Sequence, residues 1–420
     1  MRLLARVLSL SAMLLGHAPW VAAQGPGPAA ADLFDSQRLQ TIHLVVNPRD
    51  WETLKANFEL NTYYPAHFIW QGQVVKNVGI RSRGTGSRSG VKPGLRIDFN
   101  RFDPSQHFLG LKSLVLRNNV QDPSNLHERL AMQLFTRFGI PAPREAHVRL
   151  YVNDAYAGLY SVVESVDKAF LSDRFRQSDG YLYEFDYDPA DPPYLFAFKG
   201  ANPALYSPKP FKPVTHETDP DPRPLAEMIR AITETPDSDF APVVARYLDL
   251  GTFVAQTAIE ACLSETDGVL GDWGMNNFYV YRFEASTVST LVPWDKSESF
   301  KGGVNRTIWH NVDDVPAERQ NVLMTRAMRV PGLRGLFLDT LLRCADQIGG
   351  SAAGDSAPQP PTGWLEQEIL AAYAQIRDAA YDDTLKPYSN DQFDDDVRRL
   401  IDFARHRAAY IREDVRRSPR

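Results

Sequence analysis

Residues 272–295 read DWGMNNFYVYRFEASTVSTLVPWD. Two runs within them, 277–282 and 288–292, are rich in aromatic and β-branched residues and are separated by a polar stretch, which predicts a pair of strands. Asp272 stands five residues before the amide Asn277, and the second strand ends in Pro293-Trp294-Asp295, so the pair delivers another carboxylate at the end of a buried strand. An Asp and an Asn at this spacing also suit an ordinary turn, because both side chains hydrogen-bond their own backbone. The surrounding pattern therefore has to decide the meaning of the stretch.

C-terminal to it the chain reads as helix. Apolar residues recur at helical spacing over 331–348 and 364–380, a Pro/Ala/Gly/Ser linker occupies 349–362, and a helix over 394–414 closes the chain. Immediately N-terminal, helices are predicted at 225–234 and 249–265. Further upstream the period changes to two. Strands are predicted at 39–46 and 66–71 around a short helix at 48–58, and a curled sheet continues with 74–83, a Gly/Ser loop at 84–90 and a strand at 94–99. Leu126, Leu130, Leu134 and Phe138 specify one helix in this region, stopped by Gly139-Ile140-Pro141. A hairpin at 147–152 and 158–164 turns on Asn153-Asp154, Glu164–Asp167 opens a helix to about 175, and 180–186 is another short strand. Prolines are dense over 187–224, which reads as a long surface excursion able to cover a site.

The N-terminus carries Arg2 and Arg6, an apolar run at 7–15 and small residues at Val21-Ala22-Ala23, the pattern of a cleavable signal peptide over 1–23. A Gly/Pro/Ala-rich flexible linker is expected over 24–36, and no cysteine stands at the cut to accept a lipid. Removing Arg2 and Arg6 leaves 44 Lys and Arg against 52 Asp and Glu, a mature net charge near −8 that speaks against nucleic-acid binding. No other apolar run is long enough to cross a bilayer. The reading is of a secreted or periplasmic globular protein. Its two cysteines, Cys262 and Cys344, have no metal-binding spacing, and stand either paired or as buried thiols.

An Asp that orients an attacking hydroxyl, with an Asn and a second Asp that hold a divalent ion, is the set of groups that phosphoryl transfer requires. Protein kinases present it in the order catalytic-loop Asp, Asn five residues on, strand hairpin, metal-binding Asp. Several blocks of this chain resemble the spore coat protein H (CotH) kinase family: VGIRSRGTGSRSGVKPGLRIDFNRF (78–102), FLGLKSLVLRNNVQDPSNLHERLAMQLFTRFGIPAPR (108–144), LYVNDAYAGLYSVVESVD (150–167), GYLYEF (180–185), MNNFYVYRF (275–283) and VPWDKSESF (292–300). The resemblance runs from about residue 45 to 300. It implies an α+β, two-lobed, atypical protein-kinase-like fold, with a β-rich N-lobe over 37–186, the excursion at 187–224, and a mainly helical C-lobe over 225–420 that carries a metal-site hairpin at 272–300.

By the same resemblance Asp295 and Asn277 would be metal ligands for Mg²⁺ or Mn²⁺, and Asp272 the catalytic Asp, with Asp267 the alternative. A cation facing the phosphates of ATP would be Lys92 or Arg96, held by Glu128 from the helix behind. The alternation of Leu95, Ile97 and Phe99 turns Arg96 to the opposite face, which suits a phosphate contact or a solvated sheet face equally. The loop 84–90 matches neither a Walker motif nor the kinase glycine loop, and reads as a flexible hairpin tip. Glu164 stands where kinases join the lobes. The nine histidines form no metal motif and no Gly-x-Ser-x-Gly elbow occurs, so metallohydrolase and serine-hydrolase classes are unsupported. The expected activity is transfer of the γ-phosphoryl of ATP to a hydroxyl of an exported or surface protein. The alternatives are a non-catalytic binding module and an AMP transferase on the same fold.

Overall fold

The structure is a computed structural model that describes residues 29–186, 188, 190–349 and 363–418. The expected signal peptide, residues 24–28 of the linker after it and residues 350–362 of the later linker lie outside the described residues. The fold is mixed α+β.

Seven strands close into a barrel: β1 (Gln40–Val46), β2 (Tyr64–Trp70), β3 (Gln73–Ser82), β4 (Leu95–Asp98), β5 (Ser113–Arg117), β6 (Glu145–Val152) and β7 (Ala155–Glu164), in the order β1-β2-β3-β4-β5-β7-β6. Every neighbouring pair is antiparallel except β1 and β6, whose parallel pairing of Ile42 with Leu150 closes the cylinder. Closure removes the unpaired edges that a curled open sheet would leave. Alternation fills the interior: Ile42 and Leu44, Phe68 and Trp70, Leu95 and Ile97, Leu114 and Leu116, and Val148 and Leu150 all point inward and are buried. Strand β5 did not stand out as a strand in the sequence. Its outer residue Val115 is buried too, against Val163, Leu182, Tyr279, Val292 and Trp294, so that strand is packed on both faces.

Three helices attend the barrel: α1 (Ala30–Leu33), α2 (Pro48–Ala56) and α3 (His127–Arg137). Helix α1 corrects the expectation of a flexible linker up to residue 36, since Leu33 and Phe34 are buried against the barrel core. The start of α3 is fixed by Asp122, whose carboxylate accepts hydrogen bonds from the backbone N–H groups of Asn125 and His127.

After α4 (Lys168–Phe175) comes a second sheet of β8 (Tyr181–Phe185), β9 (Phe211–Pro213), β10 (Phe278–Arg282) and β11 (Ser289–Pro293), in the order β11-β10-β8-β9. Strand β9 belongs to the proline-rich stretch read as a surface excursion. That reading is corrected: Tyr194, Phe196, Tyr206 and Phe211 of the stretch are buried in the main apolar core, and Phe211 pairs with Phe185 of β8.

The helices are α5 (Arg223–Glu234), α6 (Phe240–Val244), α7 (Leu250–Cys262), α8 (Val322–Ala327), α9 (Pro331–Gly349), α10 (Trp364–Asp382) and α11 (Asn390–Arg417). Helices α7 and α11 both pack on α9. The turn between α10 and α11 comes so close to β7 that a Cβ on Gly158, whose φ is +119°, would lie 2.6 Å from Asp383 Oδ2. Cys262, the last residue of α7, is disulfide-bonded to Cys344 of α9, which settles the alternative left open by the sequence. The C-terminal carbonyls of α7 have a second tether. The buried Arg407 guanidinium of α11 donates to the carbonyl oxygens of Cys262 (3.0 Å) and Ala261 (2.7 Å), and to those of Val304 and Arg306.

The disulfide spans 82 residues, so replacing both cysteines by alanine should cost roughly 4 kcal/mol through the freer unfolded chain. Urea unfolding would measure it, and the wild-type protein in excess dithiothreitol should unfold close to the midpoint of the double variant.

Candidate functional site

The residue that ends β5, Arg117, reaches two carboxylates from different elements. Its Nη2 donates to Glu128 Oε1 of α3 (2.9 Å), its Nε is paired with Glu128 Oε2, and its Nη1 donates to Asp295 Oδ2 (2.6 Å), two residues past β11. A guanidinium suits this role because its planar fork offers donors in two directions at once. Ser297 Oγ donates to the other Asp295 oxygen (3.0 Å). The Trp294 ring lies under both arginines of the site, 5.0 Å from the Arg117 guanidinium and 5.7 Å from that of Arg83.

Burial opposes the charge on Asp295, but Arg117 and Arg83 outweigh it and hold its carboxyl below the usual carboxylate range. Glu128 goes the other way. Its burial, together with neighbouring Glu145 and Asp295, raises it well above the ordinary glutamate range despite Arg117. Glu145 itself is pushed up to about 7, chiefly by burial. Burial and the charge of Arg117 lower Arg83 to about 10. One permanently charged guanidinium thus sits among three acids, and of the three only Asp295 is held below its ordinary range.

Behind Asp295 the loop between α7 and β10 is tied to it through Asn277. The Asn277 amide donates to Asp267 Oδ2 (2.8 Å) and to the Asp267 carbonyl (2.9 Å), and the Asn277 carbonyl accepts from Trp294 N (3.1 Å) and Lys296 Nζ (3.1 Å). Lys296 is neutralised by Glu260 of α7 at 2.9 Å, both fully buried. Asn276 donates to both Asp267 oxygens at 3.1 Å. Asp267 is pushed up to about 6 by burial, with the Asn276 hydrogen bond opposing and the negative charge of Asp295 adding to the rise. Asp295 and Asn277 both have left-handed backbone, with φ of +45° and +58°.

Of the residues singled out in the sequence, the fold brings together Asp267, Asn277, Asp295 and Glu128. Asp272 points elsewhere: it accepts from His310 Nε2 (2.8 Å) and is paired with Arg306. Burial acts against its charge, but these hydrogen bonds hold it down at about 2. Lys92 is buried in an ion pair with Asp383 (2.7 Å) and donates to the Leu159 carbonyl (2.8 Å), which joins the barrel to the α10–α11 turn. Arg96, on the strand beside β5, binds Asp98 (2.7 Å) and Ser113 (3.1 Å). Glu164 is engaged by Arg144 (2.6 Å) and Arg174 (2.9 Å). The loop 84–90 is pinned rather than free. Arg88 donates to the carbonyls of Gly84 and Phe58, and Asn118 to that of Ser87.

Arg117, Arg83 and Ser297 are the site residues that sequence reasoning missed. The signal for Arg117 was present, since Leu114 and Leu116 alternate and leave it on the outer face at the end of the strand that leads to the Glu128 helix. The site's donors are hard oxygens. The Asp295 carboxylate and the Asn277 side-chain oxygen, whose amide nitrogen is already committed to Asp267, fit a Mg²⁺ or Mn²⁺ ion.

Among curated proteins the chain is 22% identical over 383 residues to the inner spore coat protein H of Bacillus subtilis (strain 168), an alignment that covers 90% of this chain and 98% of that one. Solved structures with a likeness include a Shewanella oneidensis MR-1 HipA–HipB–operator DNA complex, at 12% identity, TM-score 0.38 and coverage of 80% of this chain and 69% of that one. Another is the Helicobacter pylori proinflammatory kinase CtkA, at 8% identity, TM-score 0.25 and coverage of 82% and 91%. Likenesses of that size carry no weight for the fold described above. Residues 80–348, well over half of the chain, match the family described as CotH kinase protein, and the chain belongs to that family.

Proposed function

We propose that this protein is an ATP-dependent phosphotransferase, exported from the cytoplasm, that moves the γ-phosphoryl of ATP to a hydroxyl of an exported or surface protein. The observation that carries the reading is the ion-paired chain from Glu128 through Arg117 to Asp295, with Asn277 and Asp267 tied in behind it. Its order along the sequence supports a two-lobed, kinase-like arrangement: a strand ending in a cation, a helix bearing an acid, a strand hairpin, an Asp and Asn loop, a second hairpin and a final Asp.

In this reading Arg117 and Arg83 face the phosphates, and Glu128 holds Arg117 in place. Asp295 and Asn277 hold a Mg²⁺ or Mn²⁺ ion, which supplies neutralisation of phosphate charge. Asp267 orients the acceptor hydroxyl and takes its proton; this role falls to it rather than Asp272, because its carboxyl, near 6, is poised to accept a proton at neutral pH. Asp272 at about 2 is too weak a base and is already held by Arg306 and His310. Export rests on the basic and apolar N-terminal pattern; among the described residues no helix is long and apolar enough to cross a membrane.

One observation favours a binding module without catalysis: both Asp295 oxygens are already engaged, Oδ2 by Arg117 and Oδ1 by Ser297. Labelling separates the readings. With γ-labelled ATP and Mg²⁺ or Mn²⁺, label should enter the protein or a generic acceptor and fall at least 100-fold in Asp295→Ala. Label from the α position would mean AMP transfer, and no label with no ATP-induced rise in Tm would mean a binding module.

Asp267 must be unprotonated to act as a base, so its raised value sets the acid side of the profile. The rate of transfer should rise about tenfold per pH unit below 6 and level off above it. Asp267→Asn should lose at least 100-fold in kcat, whereas Asp272→Asn should change kcat by less than about tenfold. The opposite ranking of the two variants would return the catalytic role to Asp272.

A further inference from the structure

We infer that Asp122, His127 and Asp396 form a divalent-metal site, distinct from Asp295 and Asn277 and suited to Zn²⁺ or Mn²⁺. The three come from the loop before α3, the first residue of α3 and the second turn of α11, and all are buried. One potential ligand atom from each lies within 4.8 Å of the others.

The imidazole carries the argument. His127 Nδ1 is 3.1 Å from the carbonyl oxygen of Ser297. A carbonyl only accepts, so Nδ1 bears the hydrogen and, in the neutral ring, Nε2 keeps its lone pair. That lone pair faces Asp396 Oδ2 at 3.5 Å and Asp122 Oδ1 at 3.6 Å. Three electron-rich atoms converge only around a cation, and the occupant is either a proton on Nε2 or a metal ion. The distances favour the metal. A charged N–H would draw a carboxylate oxygen to about 2.7–2.9 Å. Two ligands on one tetrahedral ion, each at about 2.0–2.1 Å, stand about 3.4 Å apart.

The surroundings agree. A backbone carbonyl accepting from the far ring nitrogen is the usual support of a metal-bound histidine. Asp122 is held by Ser124 Oγ (2.6 Å) and the N–H groups of Asn125 and His127, and Asp396 Oδ2 accepts from Ser124 N (3.2 Å). Arg399 takes only the other Asp396 oxygen (3.3 Å). A cleft of about 990 Å³, lined in part by His127, Asp396, Phe300 and Phe403, opens beside the cluster and gives an ion access and room for a water ligand. The ion would clamp α11 to the helix turn that carries Glu128 and, through Ser297, to the segment after Asp295.

The test uses the whole mature protein, stripped with EDTA and free of nucleotide, so it reads the site whether or not phosphotransfer occurs. Zn²⁺ and Mn²⁺ are added separately, the metal retained after dialysis is counted, and Tm is recorded. The wild type should retain at least one equivalent of one of these ions and Asp295→Ala about one, with a Tm rise of about 3 °C at 100-fold excess over Kd. His127→Gln and Asp396→Asn, each made in the Asp295→Ala background, should lose both responses. No response in the wild type, or an equal response in both variants, would overturn the site and leave His127 as a protonated ionic clasp. Should His127→Gln fail to fold by circular dichroism, Asp396→Asn, which keeps the imidazole and the side-chain volume, decides.

Discussion

The arrangement of the site depends on one guanidinium. Arg117 is the point at which the barrel, α3 and the β10–β11 hairpin meet as charges. Glu128 and Asp295 approach each other only because it lies between them. Leaving the buried Glu128 without its partner would cost about 3–5 kcal/mol. The same bridge creates the asymmetry of the site. Asp295, with Arg83 also nearby, is held below its ordinary range, while burial raises Glu128 and Glu145.

The second support is the C-terminal end of α7, from which the Asp267 loop hangs. Four bare carbonyls at a helix end are a liability in a protein interior. Here Arg407 answers two of them, the disulfide anchors the last residue to α9, and Phe300 N and Gly302 N take the carbonyls of Leu263 and Ser264. The chain after Asp295 is thereby laced back to the chain before Asp267. The packing of α7, α9 and α11 thus supports the two acid-bearing segments from behind, alongside the direct link through Asn277.

The sequence disclosed what short-range pattern encodes. The alternation of β1, the Leu126-to-Phe138 helix and the two late strands were readable because each has its own period and stops. Strand β5 was not, being only five residues long, with Val115 buried between Ser113 and Arg117 on the face where alternation would call for a polar residue. The aromatics of the proline-rich stretch were masked by the prolines between them, although four of them are core residues. The arginine that meets Asp295 stands one strand away from the Arg96 singled out in the sequence. Arg96 lies on β4 in register with Val115 of the adjacent β5, and nothing local distinguishes an arginine that will meet Asp98 from one that will meet Asp295. Lys92 was beyond such reasoning altogether, because its partner Asp383 is brought to it by the docking of the α10–α11 turn on β7.

Asp267 and Asp272 show the same limit within a single loop. Both are acids five residues apart, and composition gives no preference between them. What separates them is backbone shape. Asn277 turns into the left-handed region, which Asn tolerates better than most residues, and this aims its amide at Asp267 while its carbonyl is held by Trp294 and Lys296. Asp295 makes a similar turn at the same open end of the hairpin, beside the Phe278–Pro293 pair. Two such residues cost roughly 1–3 kcal/mol each, and persist where surrounding bonds over-determine them. Those bonds are present at both residues, from Lys296, Trp294, Ser297 and Arg117. The strain therefore has a positional effect: at the open end of the hairpin, where Phe278 pairs with Pro293, it holds the Asn277 amide on Asp267 and the Asp295 carboxylate on Arg117 and Ser297, so that the two acids are fixed from neighbouring points of one turn.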